Sequence, residues 1–164
     1  MGTKNHMSYL EARYFMSYIE AHEGRRLQVY KDIYGNRTVG IGHLITDKER
    51  IEYYITDAEC ERLFDYDLEQ KLDLVKKTFK GCFEYYPLYV QAAMLDGFFR
   101  GDLSGSPKTI KLMLDGKWLE ASKEYLNNKE YKLSKQNKSG VWKRMLENSC
   151  HFANYAEELE GSKS

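Results

Sequence analysis

The sequence predicts a mostly helical α+β fold, and three observations carry that prediction. Over most of the chain, apolar residues recur at spacings of three and four, the period of a helix. Residues 25–46 break that period and read as a β-hairpin. A capping box, Thr56-x-x-Glu59, then opens a long helix that divides a small α+β part from a helical C-terminal part. Length and composition agree with one globular domain: 164 residues, 42% hydrophobic, with 14 Tyr and 7 Phe. The two prolines and 12 glycines exclude collagen-like and Pro-rich classes. No apolar run approaches the ~18 residues that span a membrane.

The elements follow in order. Residues 1–7 read as a disordered or cloning-derived lead, without the apolar core of a secretory signal. Ser8 caps a first helix to about His22, with Ala12, Phe15, Ile19 and His22 on one face, and Gly24 stops it. The hairpin runs from Val29-Tyr30, through a turn at residues 32–36, to Arg37–Ile41. The helix from the capping box reaches about Lys80 and buries Cys60, Leu63, Phe64, Val75 and Phe79. Asp67 lies on or beside that face, and a carboxylate there needs a partner. Further helices cover about 88–99, 107–114 (Ser106 as N-cap, Pro107 at the first position), 118–126 and 141–159. In the last of these Trp142, Met145, Ser149, Phe152 and Ala156 line up.

Charge and cysteines narrow the function classes. The 25 basic and 25 acidic residues cancel, which argues against a globally basic nucleic-acid binder. The balance is uneven: residues 47–80 carry 10 acidic and 7 basic side chains, net −3, and residues 108–144 carry 10 basic and 4 acidic, net +6. The positive stretch suits either a polyanionic partner or an ordinary solvated face. Cys60, Cys82 and Cys150 form no CxxC, so reduced, buried, structural thiols are expected. A Cys–His catalytic pair with His43 or His151 is the competing reading. Four scattered histidines give no metal-ligand spacing, so neither metal nor cofactor is expected.

The chemistry concentrates between Glu23 and His43. Glu23 closes a helix, where the dipole disfavours a negative charge and favours a carboxyl that can serve as general acid. Asp32 sits in a polar turn after a strand and is expected to be ionised. Taken singly, a Glu before a Gly reads as a surface residue and an Asp in a turn as serving the turn; two carboxyls in different environments, on elements that can face one cleft, meet the requirement of a glycosidase. Thr38, on the returning strand, is placed to hold a water beside Asp32.

The whole string, Glu23-x8-Asp32-x5-Thr38 with Tyr30-Lys-Asp32, Gly35-x-x-Thr38 and Gly40-Ile-Gly42-His43, resembles phage lysozymes of the T-even type, glycoside hydrolase family 24. The likeness is dense over residues 23–44 and continues more weakly through Thr56-x-x-Glu59-x-x-x-Leu63-Phe64-x-x-Asp67 and the C-terminal helices. It implies a lysozyme-like two-lobed fold: one domain over 8–160, with lobes at about 8–56 and 81–160 joined by a helix at about 57–80. It also implies Glu23 as the general acid, Asp32 as base or nucleophile, and Thr38 completing the triad. His43 and Asp67 resemble the family's structural ion pair. Gly42, Phe99 and Arg100 fall where substrate contacts are expected. The implied reaction is hydrolysis of the β-1,4 bond between N-acetylmuramic acid and N-acetylglucosamine in peptidoglycan, without a cofactor.

The chain departs from the family pattern in three places. Phe98-Phe99 stands where many members have Phe followed by Asn or Gln, so Arg100 is the candidate for the lost polar contact. The loop at residues 100–109 is similar to a subgroup of phage lysozyme-like proteins, some of them virion parts. At the ungapped position of the family's C-terminal arginine, which pairs with the catalytic Glu, stands Val141, with Lys143 and Arg144 as replacements. The expected setting is phage-encoded. The chain would act as a monomer without a signal peptide, held in the host cytoplasm before release to the periplasm, or be virion-associated with other virion proteins as partners. Nucleic-acid binding and membrane insertion are not expected. A non-hydrolytic wall-binding or structural module on the same fold is the reading from a different class.

Overall fold

The computed structural model describes residues 7–137 and 139–162, so the expectation for the first seven residues falls, apart from Met7, outside the described residues. The helices are α1 (Tyr9–Glu23), α2 (Asp57–Thr78), α3 (Leu88–Arg100), α4 (Pro107–Leu114), α5 (Trp118–Tyr125), α6 (Lys129–Gln136) and α7 (Val141–Gly161). The strands are β1 (Arg26–Lys31), β2 (Arg37–Gly40) and β3 (His43–Leu44), an antiparallel sheet in the order β1-β2-β3. Two compact units meet in sequence within α2, the first ending at Leu72 and the second starting at Asp73. This is the predicted α+β class, mostly helical with one small sheet.

In the first unit, α1 starts where Ser8 Oγ accepts from the Glu11 amide at 3.1 Å. It stops at Gly24, whose φ of 75° is left-handed and costs a residue without a Cβ little. Phe15, Met16 and Ile19 are its buried residues. The hairpin pairs Tyr30 with Thr38 and Lys31 with Arg37, with an irregularity between Arg26 and Tyr30. β3, too short for a period-2 pattern to reveal, pairs Val39 with His43 and Thr38 with Leu44. A further segment closes the other edge of β1: the Val29 amide donates to Tyr53 O and the Ile55 amide to Leu27 O, both at 2.8 Å.

Thr56 caps α2 at the predicted position: the Glu59 amide donates to Thr56 Oγ1 at 3.1 Å, and that hydroxyl donates to Glu59 Oε1 at 3.2 Å. Cys60, Leu63, Phe64 and Leu68 bury one face of α2. Gly40 lets β2 approach that helix, since a Cβ there would stand 3.2 Å from Cys60 Sγ. The helix ends at Thr78 rather than Lys80, because Lys80 and Gly81 turn left-handed at φ 52° and 82°.

In the second unit α3, α5 and α6 pack on α7, and α4 packs on α5. Apolar periodicity does not reveal α6, which buries only Ser134. Asn128 caps it, accepting from the Tyr131 amide at 2.8 Å. Trp142 is half-buried, with Lys135 and Lys143 ammonium groups 5.8 and 5.7 Å from its ring. Of the thiols only Cys60 is buried, while Cys82 and Cys150 are exposed, contrary to the expectation for all three. Among the described residues no helix is long and apolar enough to cross a membrane.

Candidate active site

Glu23 is the last residue of α1, half-buried, and its carboxyl lies against the backbone of Gly42. A Cβ on Gly42 would come within 2.9 Å of both Glu23 Cδ and Oε2, and its φ of 67° also favours glycine. The glycine between β2 and β3 therefore makes room for this carboxyl.

Asp32 is placed by its own turn. Its Oδ1 accepts from the amides of Tyr34 (2.9 Å) and Asn36 (2.8 Å), and its Oδ2 from Asn36 Nδ2 (3.2 Å). The Asn36 amide is the main force holding this carboxyl below its ordinary range, against some desolvation, and the Asn36 side chain and the Tyr34 amide add to it. Thr38 is buried on β2, and its hydroxyl donates to Asn36 O at 3.0 Å.

The motif in the sequence contains Tyr30 but assigns it no role. It lies opposite Thr38 in the β1–β2 ladder, with the Arg26 guanidinium 4.0 Å above its ring. Burial pushes its phenol pKa up, the negative charges of Glu23 and Asp32 push further, and Arg26 opposes them. One phenol thus senses both carboxyls.

His43 is buried between two acids. Its Nδ1 lies 2.8 Å from Asp67 Oδ2 and its Nε2 lies 2.9 Å from both Glu49 carboxylate oxygens. Its pKa is raised, mainly by the Asp67 hydrogen bond and against desolvation, with Glu49 adding to the effect. Asp67 has the partner that its position on α2 demanded. Glu49 is a second partner that the sequence did not reveal; the Thr46-x-x-Glu49 spacing signals only its local bond, in which Glu49 Oε1 accepts from the Thr46 amide at 2.9 Å.

Phe99 and Arg100 belong to the second unit, at the end of α3, and both are half-buried. Arg100 is engaged there, its Nη2 donating to Glu130 and its Nε lying 3.3 Å from Asp102 Oδ2. Arg144, a replacement considered for the family's C-terminal arginine, donates through Nε and Nη2 to the buried Asp96 at 2.9 and 2.8 Å. Among the described residues no group of three or more His, Cys, Asp or Glu side chains is arranged to hold a metal ion.

A mostly helical α+β fold with one small three-stranded antiparallel sheet is consistent with a lysozyme fold. The family comparison agrees: the phage lysozyme family matches residues 20–145. This chain belongs to that family, whose membership supports a muramidase-like glycoside hydrolase function. Two relatives from Dictyostelium discoideum, "Probable T4-type lysozyme 2" and "Probable T4-type lysozyme 1", are each 29% identical over 132 residues. Each alignment covers 65% of this chain and 78% of the relative.

Proposed function

We propose that the chain hydrolyses the β-1,4 bond between N-acetylmuramic acid and N-acetylglucosamine in bacterial peptidoglycan, acting as a monomer. Glu23 gives its proton to the glycosidic oxygen as the bond from that oxygen to C1 breaks. Asp32 takes a proton from the water whose oxygen bonds to C1. The products are one sugar with a new hydroxyl and one with a new reducing end. Asp32 then loses its proton to solvent and Glu23 regains one. The hydroxyl of Thr38 is committed as a donor to Asn36 O, so towards that water its oxygen accepts. The negative charge of an ionised Asp32 also stabilises the positive charge that develops on the sugar ring.

One observation carries this reading: the Asp32 carboxylate is fixed and held ionised by three donors of its own turn, close enough in the sheet to share Tyr30 with Glu23. The biological setting that fits is phage-borne, either release from the host cytoplasm at lysis or wall penetration by a virion component. The net +6 of residues 108–144 suits the anionic wall in both.

A turbidity assay on purified peptidoglycan tests the function. Wild type should clear it, and Glu23→Gln should lower the rate by about 10²–10⁴-fold. Borohydride reduction of the products should convert N-acetylmuramic acid, not N-acetylglucosamine, to its alcohol. Equal clearing by both proteins removes Glu23 as the acid, and no clearing by wild type removes the enzyme.

A further inference from the structure

Asn36 makes more contacts with the candidate residues than any role in a plain turn requires. Its backbone amide and its side-chain Nδ2 grip opposite oxygens of Asp32, at 2.8 and 3.2 Å. Its carbonyl oxygen accepts from the Asp32 amide at 2.9 Å and from Thr38 Oγ1 at 3.0 Å. One residue therefore bonds both residues assigned to the water. We propose that Asn36 is a positioning residue of this site, clamping the Asp32 carboxylate and the Thr38 hydroxyl into one hydrogen-bonded unit. The proposal rests on the reading of Asp32 and Thr38 given above and deepens it.

The donor count explains why the side-chain amide matters. An ionised carboxylate offers about four lone-pair sites. The Tyr34 and Asn36 amides fill the two on Oδ1. Nδ2 of Asn36 fills one on Oδ2, so a single site on Oδ2 remains for water. Without that amide, Oδ2 has two equivalent sites, the water loses its direction, and the carboxylate can pivot about Oδ1. The backbone contacts survive a side-chain change, so the effect of the amide can be isolated. The amide also makes Asp32 a weaker base, as the hydrogen bonds that lower its pKa show.

Asp32 and Glu23 both act on the Tyr30 phenol. Glu23 at the end of α1 and the Tyr30 phenol on β1 face the same space, and Arg26 lies over that phenol. Lys31 and Arg37 pair across the two strands. None of these is altered by truncating Asn36.

The test is Asn36→Ala, with Asn36→Ser returning a short donor. In Asn36→Ala, kcat on peptidoglycan should fall about 10-fold with KM unchanged, because positioning rather than substrate binding is lost. The acid limb of the kcat–pH profile should move to higher pH, and Asn36→Ser should recover part of both effects. In the free protein, the Asp32 side-chain carboxyl should titrate at higher pH by NMR in Asn36→Ala than in wild type. Unchanged kcat and an unmoved acid limb overturn the proposal, as does an unmoved Asp32 titration. Full activity in Asp32→Asn would instead overturn the catalytic reading of Asp32, and the NMR titration would still decide whether Asn36 clamps it.

Discussion

Two aspartates, one in each unit, show how differently the same side chain can be treated. Asp32 sits in a hairpin turn and receives three N–H donors from residues two to four positions on. Its pKa is lowered. Asp102 follows α3 in a turn of the second unit, with its side chain only 9% exposed. Burial pushes its pKa up to about 6 from 3.8, although the Tyr125 hydroxyl donates to it at 2.6 Å and Arg100 lies beside it. Its other oxygen, Oδ2, is buried without a hydrogen-bond partner. Donors supplied by adjacent residues outweigh partial burial at Asp32, and desolvation outweighs an incomplete donor set at Asp102. The first arrangement suits a carboxylate that must stay ionised, and the second keeps a proton into mildly acid pH.

The largest expected effect of breaking this comparison is on activity. Asp32→Asn should cut peptidoglycan clearing by about 10²–10³-fold, because an amide cannot take the water's proton. The melting temperature, read by circular dichroism, should move little beside that loss. A variant that clears normally would reduce the turn to a structural feature.

The next effect is on the pH dependence of stability, and the two residues act with opposite sign. Asp102 has a folded pKa above its unfolded value. Between pH 3.8 and about 6 the folded state therefore holds the extra proton, and stability falls as pH rises through that window. The expected size is about 2–3 kcal/mol. Asp32 has a folded pKa below its unfolded value, so its contribution is present above the unfolded pKa and is lost as pH falls through the folded one. Urea unfolding from pH 3 to 8 should show a decline towards pH 6 that Asp102→Asn removes. A decline that persists in Asp102→Asn would place its source elsewhere.

The smallest effect concerns His43. Its folded pKa is raised, so its stabilisation is complete below the unfolded value of 6.5 and is lost as pH rises through the folded one. Asp67→Asn should cost about 1–2 kcal/mol at pH 6 and less at pH 9, while clearing activity survives. A stable, correctly folded Asp67→Asn that clears nothing would move the pair from structure into catalysis.

Much of this was legible in the chain because it is local. Ser8, Gly24 and the Thr56–Glu59 box mark helix ends through bonds within a few residues. The Asp32 turn is equally local, since all its donors lie within four positions. Other features were not legible. β3 has two residues, and the 53–55 segment is defined by its bonds to β1, so neither has a period of its own. Helix α6 buries a single serine, so its apolar signal is too weak to read. For Asp67 the need for a partner was visible, but the approach of Glu49 to the far side of the same imidazole was not.

The sequence by itself determined the fold class, the caps of α1 and the start of α2, and the string from Glu23 to His43. Each of these rests on interactions between near neighbours, or on a spacing that repeats along the chain. Only the tertiary structure decided which groups share a dielectric and a donor. It set Gly42 against Glu23, Tyr30 within reach of two carboxyls, Glu49 and Asp67 on either side of His43, and the Asp102 side chain largely out of solvent. The energy of a charge depends on the solvent and dipoles around it in space, and sequence order does not state those.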